Sequence, residues 1–292
     1  MKKHKICFLC NSENLKQLNG YYEKHSLIKC KNCGFIFMEK IPSPQELEEY
    51  YANYSYNTEE IIPPTTIKSY NVLLNEFEKY RQTNKILDVG CGRGWFLLEA
   101  KKRGWKVYGS EYSQTAVKLC LQSSIEMKEG ELDLSFFKEE SFDVITSFEV
   151  IEHINNPHKE LNLIYNLLRS GGIFYCTTPN FNSLMRYYLK NKYNIIEYPE
   201  HLSYYTKSTL NKVVKQNGFL PIKFLSTGIS ISRIKASKKL PDKINISNHS
   251  SDEALRIKID EKWHLNILKK IVNTLFTITN MGLTLKGYYI KK

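Results

Sequence analysis

Four of the seven cysteines fall within the first 33 residues, as Cys7-Phe-Leu-Cys10 and Cys30-Lys-Asn-Cys33. A C-x-x-C turn aims two thiolates at one point, and two such turns complete a tetrahedron of sulfur around one ion. The doubled spacing reads as a zinc ribbon, with Cys7, Cys10, Cys30 and Cys33 holding Zn2+ and Gly34 freeing the backbone after the second turn. Four protein ligands close the metal's shell, so the ion's expected role is structural. Disulfides and a redox dithiol are competing uses of the same residues. A reducing compartment disfavours the first, and the doubling of the motif disfavours the second.

A second chemical signal is Ile86-Leu87-Asp88-Val89-Gly90-Cys91-Gly92-Arg93-Gly94, an apolar run that breaks into three alternating glycines. Strand, tight turn and helix start in that order let a backbone approach a ligand with no Cβ in the way. The spacing is G-x-G-x-G, not the phosphate-cradling G-x-G-x-x-G. Asp88 beside the turn would repel a pyrophosphate and suits an ammonium-bearing ligand. Glu111 closes the next apolar run 23 residues after Asp88, where a doubly wound sheet places the carboxylate that binds ribose hydroxyls. Gly130-Glu131-Leu132 follows the third run and is placed to line an adenine pocket. The fourth run leads into Phe148-Glu149-Val150-Ile151-Glu152-His153, again at a strand's carboxyl end.

The elements that must position these residues follow from periodicity. From Lys85 onward, apolar runs alternate with amphipathic segments, the pattern of a parallel sheet with crossover helices. The expected strands are Ile86–Val89, Lys106–Ser110, Ile125–Lys128, Phe142–Phe148 and Ile173–Thr177. The expected helices are Trp95–Arg103, Gln114–Gln122 and Pro157–Leu168, the last with Pro157 at its start and Gly171-Gly172 as its stop. Upstream, Tyr70, Leu73, Leu74, Phe77 and Tyr80 predict a helix over Lys68–Arg81 beside the domain's entrance. The Pro-broken, Tyr-rich stretch 42–67, with Tyr50, Tyr51, Tyr54 and Tyr56, reads as a linker with a short helix Gln45–Tyr51. The domain plan is a ribbon over 1–41, that linker, and an α/β domain over 68–292. Cys91, Cys120 and Cys176 read as small core residues.

Taken together, DVGCGRG, GSEYS, EGELDL, SFDVITSFEVIEHINNP and LLRSGGIFYCTTPN resemble the class I S-adenosylmethionine-dependent methyltransferases. The likeness is nearest to the branch of ubiquinone-biosynthesis and sugar O-methyltransferases. It covers about residues 68–228 and reaches a final strand, Gly287–Lys291. It implies a seven-stranded, doubly wound, mostly parallel Rossmann-like α/β sheet. It also implies S-adenosylmethionine on Asp88, Gly90, Cys91, Gly92 and Gly94 for the methionine part, and on Glu111 and Tyr112 for the ribose. Glu131 and Leu132 would meet the adenine, although many relatives carry Asp where this chain has Glu131. Phe148 and Glu149 would flank the sulfonium.

A hydroxyl acceptor must lose a proton, and the resemblance makes His153 the first candidate base, with His201 the second. A structural, hydrogen-bonded histidine is the competing role for each. Glu149, Glu152 and His153 form E-x-x-E-H, associated in the ubiquinone branch with a divalent metal; a solvated helix start accounts for the acids equally well.

The chain's net charge of +12 is uneven, because residues 181–292 carry 20 basic and 7 acidic groups. Such a field suits a phosphate-bearing substrate, an anionic membrane or nucleic acid, and equally a Lys-rich solubilising surface. Residues 181–200 and 229–285 are expected to build an acceptor lid, with Leu265–Leu285 as a core-facing helix or, alternatively, an interfacial one. The leading expectation is O-methylation of a sugar, nucleotide sugar or other small phosphorylated metabolite, within surface-polysaccharide or secondary metabolism. An RNA methyltransferase using ribbon and basic region is the first alternative. A non-catalytic zinc-ribbon scaffold is the second. The basic Met1–Lys5 lacks a following apolar h-region, and no run of about 18 apolar residues occurs, so a cytoplasmic chain without a membrane span is expected.

Overall fold

The computed structural model describes residues 2–52, 62–230, 255–259 and 261–292. Its N-terminal part comprises β1 (Lys2–Lys3), β2 (Leu15–Gln17), α1 (Tyr22–His25), β3 (Leu27–Cys30), β4 (Ile36–Met38) and β5 (Lys40–Ile41). Then come α2 (Pro44–Ala52) and α3 (Pro64–Phe77), the second continued by a 3-10 turn to Tyr80. The α/β part runs β6 (Lys85–Val89), α4 (Trp95–Lys102), β7 (Lys106–Glu111), α5 (Gln114–Gln122), β8 (Glu126–Glu129), β9 (Phe142–Phe148), α6 (Pro157–Leu167) and β10 (Leu168–Pro179). It continues with α7 (Leu184–Leu189), β11 (Ser203–Tyr204), α8 (Lys207–Gln216), β12 (Leu220–Thr227), α9 (Trp263–Thr279) and β13 (Thr284–Ile290).

Seven strands form one sheet in the order β12-β13-β10-β9-β6-β7-β8. The five from β10 to β8 are mutually parallel, and β13 lies antiparallel between β10 and β12. The order reverses at β6, whose neighbours are β7 and β9, and ligands in such sheets bind outside the carboxyl ends at that reversal. Strand β9, FDVITSF, is buried along its first six residues, as expected for a central parallel strand covered on both faces. β12 was not drawn from the sequence. Its Pro221 cannot donate to a ladder, which demotes the run to an edge, and the edge is where it lies.

The expected elements stand within a few residues of the observed ones, with instructive differences. Gly171-Gly172 does not stop α6. That helix ends at Leu167 and passes straight into β10, and the glycines sit at an irregularity in the strand, where Gly171 takes φ +74° and donates to the Lys291 carbonyl. The core-facing helix expected over Leu265–Leu285 is half right. α9 packs on β12 through Thr277 and Asn273, yet none of its residues is buried, and Trp263, Ile267, Leu268, Ile271, Leu275 and Ile278 are exposed. The linker is part helix, and its Tyr54 and Tyr56, like most of the first half of the expected lid at 229–285, lie outside the described residues. Cys120 and Cys176 are buried core residues; Cys91 is only half-buried at the core's margin.

Candidate functional site: a two-sided cleft at the strand ends

The glycine turn follows β6. Gly90, Gly92 and Gly94 take φ of +67°, +52° and +70°, the left-handed region that other residues enter at a cost. Gly90 is doubly constrained, since a Cβ there would come 2.6 Å from Val150 Cγ2. The Ser110 carbonyl pins the turn by accepting from the N–H groups of Gly90 and Cys91 at 2.9 and 3.1 Å.

Two carboxylates face this turn. Asp88 stands opposite Thr146 in the parallel register, and Thr146 Oγ1 donates to Asp88 Oδ1 at 2.7 Å. Burial, with Glu111 adding repulsion, pushes the Asp88 carboxyl up to about 8. Glu111, at the end of β7, accepts from the Gly92 N–H at 2.9 Å and from those of Tyr112 and Ser113 at 2.8 and 3.0 Å. Three backbone donors thus fix the orientation of this carboxylate. Gly130 N–H donates to the Glu111 carbonyl, which brings the Gly130–Leu132 loop to the same rim. There the Glu131 side chain is exposed and paired with Lys159, while Leu132 packs into the core and Tyr112 is exposed.

Phe148 provides an aromatic wall. Its ring lies 5.0 Å from that of Phe96, 5.6 Å from Tyr175 and 5.8 Å from Tyr70. Such faces attract a cation. Burial, reinforced by Asp88, raises the Tyr70 phenol to about 12. Thr146 and Tyr70 were not singled out from the sequence. Tyr70 reads there as one more apolar position of an amphipathic helix, and Thr146 needs the strand register to be paired with Asp88.

Beside this turn, Glu149 leaves β9 at φ +54°, a non-glycine residue in a sparsely populated conformation of the kind found at functional sites. Its N–H donates to the Thr177 carbonyl at 3.1 Å. Glu149 is exposed, but Glu152 is buried, so a solvated helix start does not explain both acids. Thr178 Oγ1 donates to Glu152 Oε2 at 2.9 Å, whereas Glu152 Oε1 is buried with no hydrogen-bond partner. Burial, and then the Glu149 charge, push the Glu152 carboxyl well up.

The structure brings His153 and His201 together from different segments, their rings 4.8 Å apart. His153 Nδ1 meets the Glu200 carbonyl at 2.8 Å, and His201 Nδ1 meets that of Ile195 at 2.6 Å. A carbonyl accepts only, so each Nδ1 carries the proton and each Nε2 the lone pair. Burial, then the neighbouring His201, lower His153 to about 4. The side chain of His153 keeps 20% exposure. The trio gathered here, with ligand atoms within 4.8 Å of one another, is Glu152, His153 and His201; Glu149 of the E-x-x-E-H spacing is not in it. Behind it lies a void of about 10 Å³ lined by Glu152, Asn180, Tyr193, His201 and Tyr204, room for one water and not for an acceptor.

The four N-terminal cysteines converge. Cys7 and Cys33 sulfurs lie 3.6 Å apart, as do those of Cys10 and Cys30, and all four fall within 4.8 Å. No pair is bonded as a disulfide. Sulfurs at the corners of a tetrahedron with metal–sulfur bonds of about 2.3 Å stand roughly 3.8 Å apart, so the cluster fits zinc. Backbone N–H groups of Leu9 and Cys10 point at Cys7, and those of Asn32 and Cys33 at Cys30. Burial raises the Cys7 and Cys33 thiols, while at Cys30 the backbone donors and neighbouring cysteines outweigh burial and lower it, so without an ion the four thiols do not ionise together.

Residues 66–223 match the model of a methyltransferase domain family. The chain belongs to that family, and its type is the class I S-adenosylmethionine-dependent methyltransferase. A ubiquinone biosynthesis O-methyltransferase of Pseudomonas putida (strain W619) is 30% identical over 105 residues, 34% of this chain and 45% of that protein. The chain thus aligns with less than half the length of that curated relative. Among solved structures, a SAM-dependent methyltransferase from Archaeoglobus fulgidus superposes with a TM-score of 0.51 at 19% identity, covering 76% of this chain and 93% of that one. Phosphoethanolamine N-methyltransferase 2 of Haemonchus contortus, in complex with S-adenosyl-L-methionine, gives 0.52 at 18% identity, with 88% and 61% covered. These likenesses show the fold.

Proposed function

We propose that this chain transfers the methyl group of S-adenosylmethionine to a hydroxyl of a small sugar-like or phosphorylated acceptor. The observation that carries this reading is the pair Asp88 and Glu111 beside one glycine turn, with the partly exposed His153 just beyond the end of the neighbouring strand β9. Asp88 would meet the ammonium, Glu111 the ribose hydroxyls, the Gly130–Leu132 loop the adenine, and the faces of Phe148 and Tyr70 the sulfonium side. The acceptor's proton would pass to His153 Nε2 as its oxygen forms the bond to the methyl carbon and the carbon–sulfur bond breaks. His201 stands as second base, and Cys7, Cys10, Cys30 and Cys33 would hold a structural zinc ion. The oxygen acceptor draws support from the name of the Pseudomonas relative.

The exposed apolar stripe of α9, with Lys269 and Lys270 on the same helix, favours a peripheral position on an anionic membrane. No described helix is long and apolar enough to cross one. Labelled methyl transfer is the test: counts in sugar phosphates, nucleotide sugars or glycan extracts, and none in total RNA, are expected. Label in RNA alone would overturn the acceptor assignment, and absence of S-adenosylmethionine binding by calorimetry would leave only a scaffold.

A further inference from the structure

The ribbon is not an appendage. Its outer strand β4 pairs antiparallel with β11 of the α/β part, with Phe37 opposite Ser203 and Ile36 opposite Tyr204, in a four-stranded sheet of order β11-β4-β3-β2. Met38 N–H donates to the Leu202 carbonyl at 2.9 Å, and Leu202 N–H donates in turn to the Glu152 carbonyl at 2.9 Å. His201, immediately before Leu202, is therefore held between a ribbon strand and the Glu152–His153 turn.

Two hydrophobic clusters cross the same boundary. Tyr21, Leu27, Ile36 and Met38 pack with Phe181, Tyr193, Leu202 and Tyr204, and Phe35 stacks obliquely on Tyr205 at 5.2 Å. His25 Nε2 also bonds the Asn191 carbonyl at 2.8 Å, and Arg186 donates to the Tyr21 hydroxyl. The metal-binding turn has a direct mechanical link to this wall. Cys30 ends β3, the Cys30–Gly34 knuckle is the hairpin turn into β4, and Cys30 N–H closes it on the Phe35 carbonyl. Fixing the sulfurs fixes the hairpin's register, and that register sets the edge that β11 reads.

We propose that metal loading of the four-cysteine site builds the acceptor-side wall: the loaded ribbon templates β11 and thereby positions His201 and the 193–205 segment, while the cofactor side stands without it. Insofar as that wall meets an acceptor, this rests on the reading above. The cofactor turn supports the separation, since the hydrogen-bond partners of Asp88 and of the turn, Thr146 and Ser110, both come from the α/β part. The ribbon then serves as a metal-dependent part of the acceptor site.

The test strips metal from the full chain with a chelator and follows backbone hydrogen exchange and calorimetric binding of S-adenosylhomocysteine. Exchange across 195–205 should rise by roughly tenfold or more, with 84–111 and cofactor affinity unchanged, and added Zn2+ should restore protection. Met38→Pro removes the donor to Leu202 and leaves all four thiolates. It should keep its zinc, read by metal analysis, and still lose protection at 201–204. Unchanged exchange over 195–205 after metal removal would overturn the proposal, as would equal loosening of 84–111, which would make the ion a general fold stabiliser. Retained protection in Met38→Pro would show that the strand pairing is not the link. None of these readouts depends on the acceptor, so an RNA product would sink the proposed substrate and leave this result standing.

Discussion

Asp88 is a carboxylate placed where a carboxylate is costly, and that cost indicates its use. Its side-chain donor Thr146 does not offset burial and the Glu111 charge, and the group is held up at about 8. A raised acid favours the fold fully below its unfolded value near 3.9, and that contribution is lost as pH rises through about 8. The cofactor-free chain should therefore lose up to about 1.4 kcal/mol of stability per pH unit between about 4 and 8, read by urea unfolding, and Asp88→Asn should flatten the slope. A bound ammonium reverses the balance, so Asp88→Asn should weaken S-adenosylmethionine roughly 10- to 100-fold by calorimetry. An unchanged affinity would remove Asp88 from the site. His153 behaves in the opposite sense. Lowered to about 4, it stays neutral throughout the physiological range, with its burial making it a weaker base than a free imidazole. His153→Ala should cut turnover about 10²- to 10⁴-fold and spare cofactor affinity. The acid limb of the wild-type rate profile should fall near pH 4 rather than 6.5. At this scale the sequence singled out Asp88, Glu111, Glu149, Glu152, His153 and His201 by type and by their place after apolar runs. It did not show that Glu152 is buried or that His201 reaches His153, because both facts depend on a contact between segments nearly 50 residues apart.

Strands β6, β7 and β9 and helices α4 to α6 were legible because their periodicity and caps agree with their tertiary setting. Ser113 and Asn156 cap α5 and α6 by accepting from Ala116 and Lys159 N–H, and Pro157 opens α6 where its missing donor costs nothing. The glycine pair at 171–172 misled because the same residue serves a helix stop and a strand irregularity equally well. A second device invisible in one dimension is the Asp143 clasp. Asp143, fully buried in β9, accepts from the N–H groups of Gln82, Thr83 and Asn84 and from Arg169 Nε at 2.6 Å. It thereby ties the entry to β6 onto the neighbouring strand and the start of β10. Burial acts to raise this carboxyl, but Arg169 and the three backbone donors hold it below its ordinary value. Its contribution is present above the unfolded value near 3.9 and is lost as pH falls through the folded one. Asp143→Ala leaves Arg169 without its carboxylate and should cost about 3–5 kcal/mol in urea unfolding at neutral pH, with the gap to wild type narrowing in acid. A change under about 0.5 kcal/mol would show that the clasp is decorative.

The chain's excess of basic groups and most of its described exposed large apolar side chains both lie beyond residue 180. The 20 basic groups against 7 acidic ones beyond residue 180 were visible in the sequence, but the orientation of the helix near 265–285 was not, since its apolar residues read equally well as core. The structure resolves the ambiguity: α9 turns Leu265, Val272 and Phe276 partly inward and leaves Ile267, Leu268, Ile271, Leu275 and Ile278 outside. An apolar stripe of this length on a cationic part of the chain is complementary to an anionic lipid surface, where the apolar residues enter the headgroup boundary and lysines meet phosphates. The chain should co-float with phosphatidylglycerol vesicles and not with phosphatidylcholine alone, and the association should weaken as salt rises. Ile267→Ser with Ile271→Ser and Leu275→Ser should abolish flotation while changing thermal stability little, because these side chains face solvent in the free protein. If the triple variant floats as well as wild type, the lysines act alone. If it unfolds instead, the stripe is covered in the free chain, and the charged surface returns to the simpler role of keeping the protein soluble.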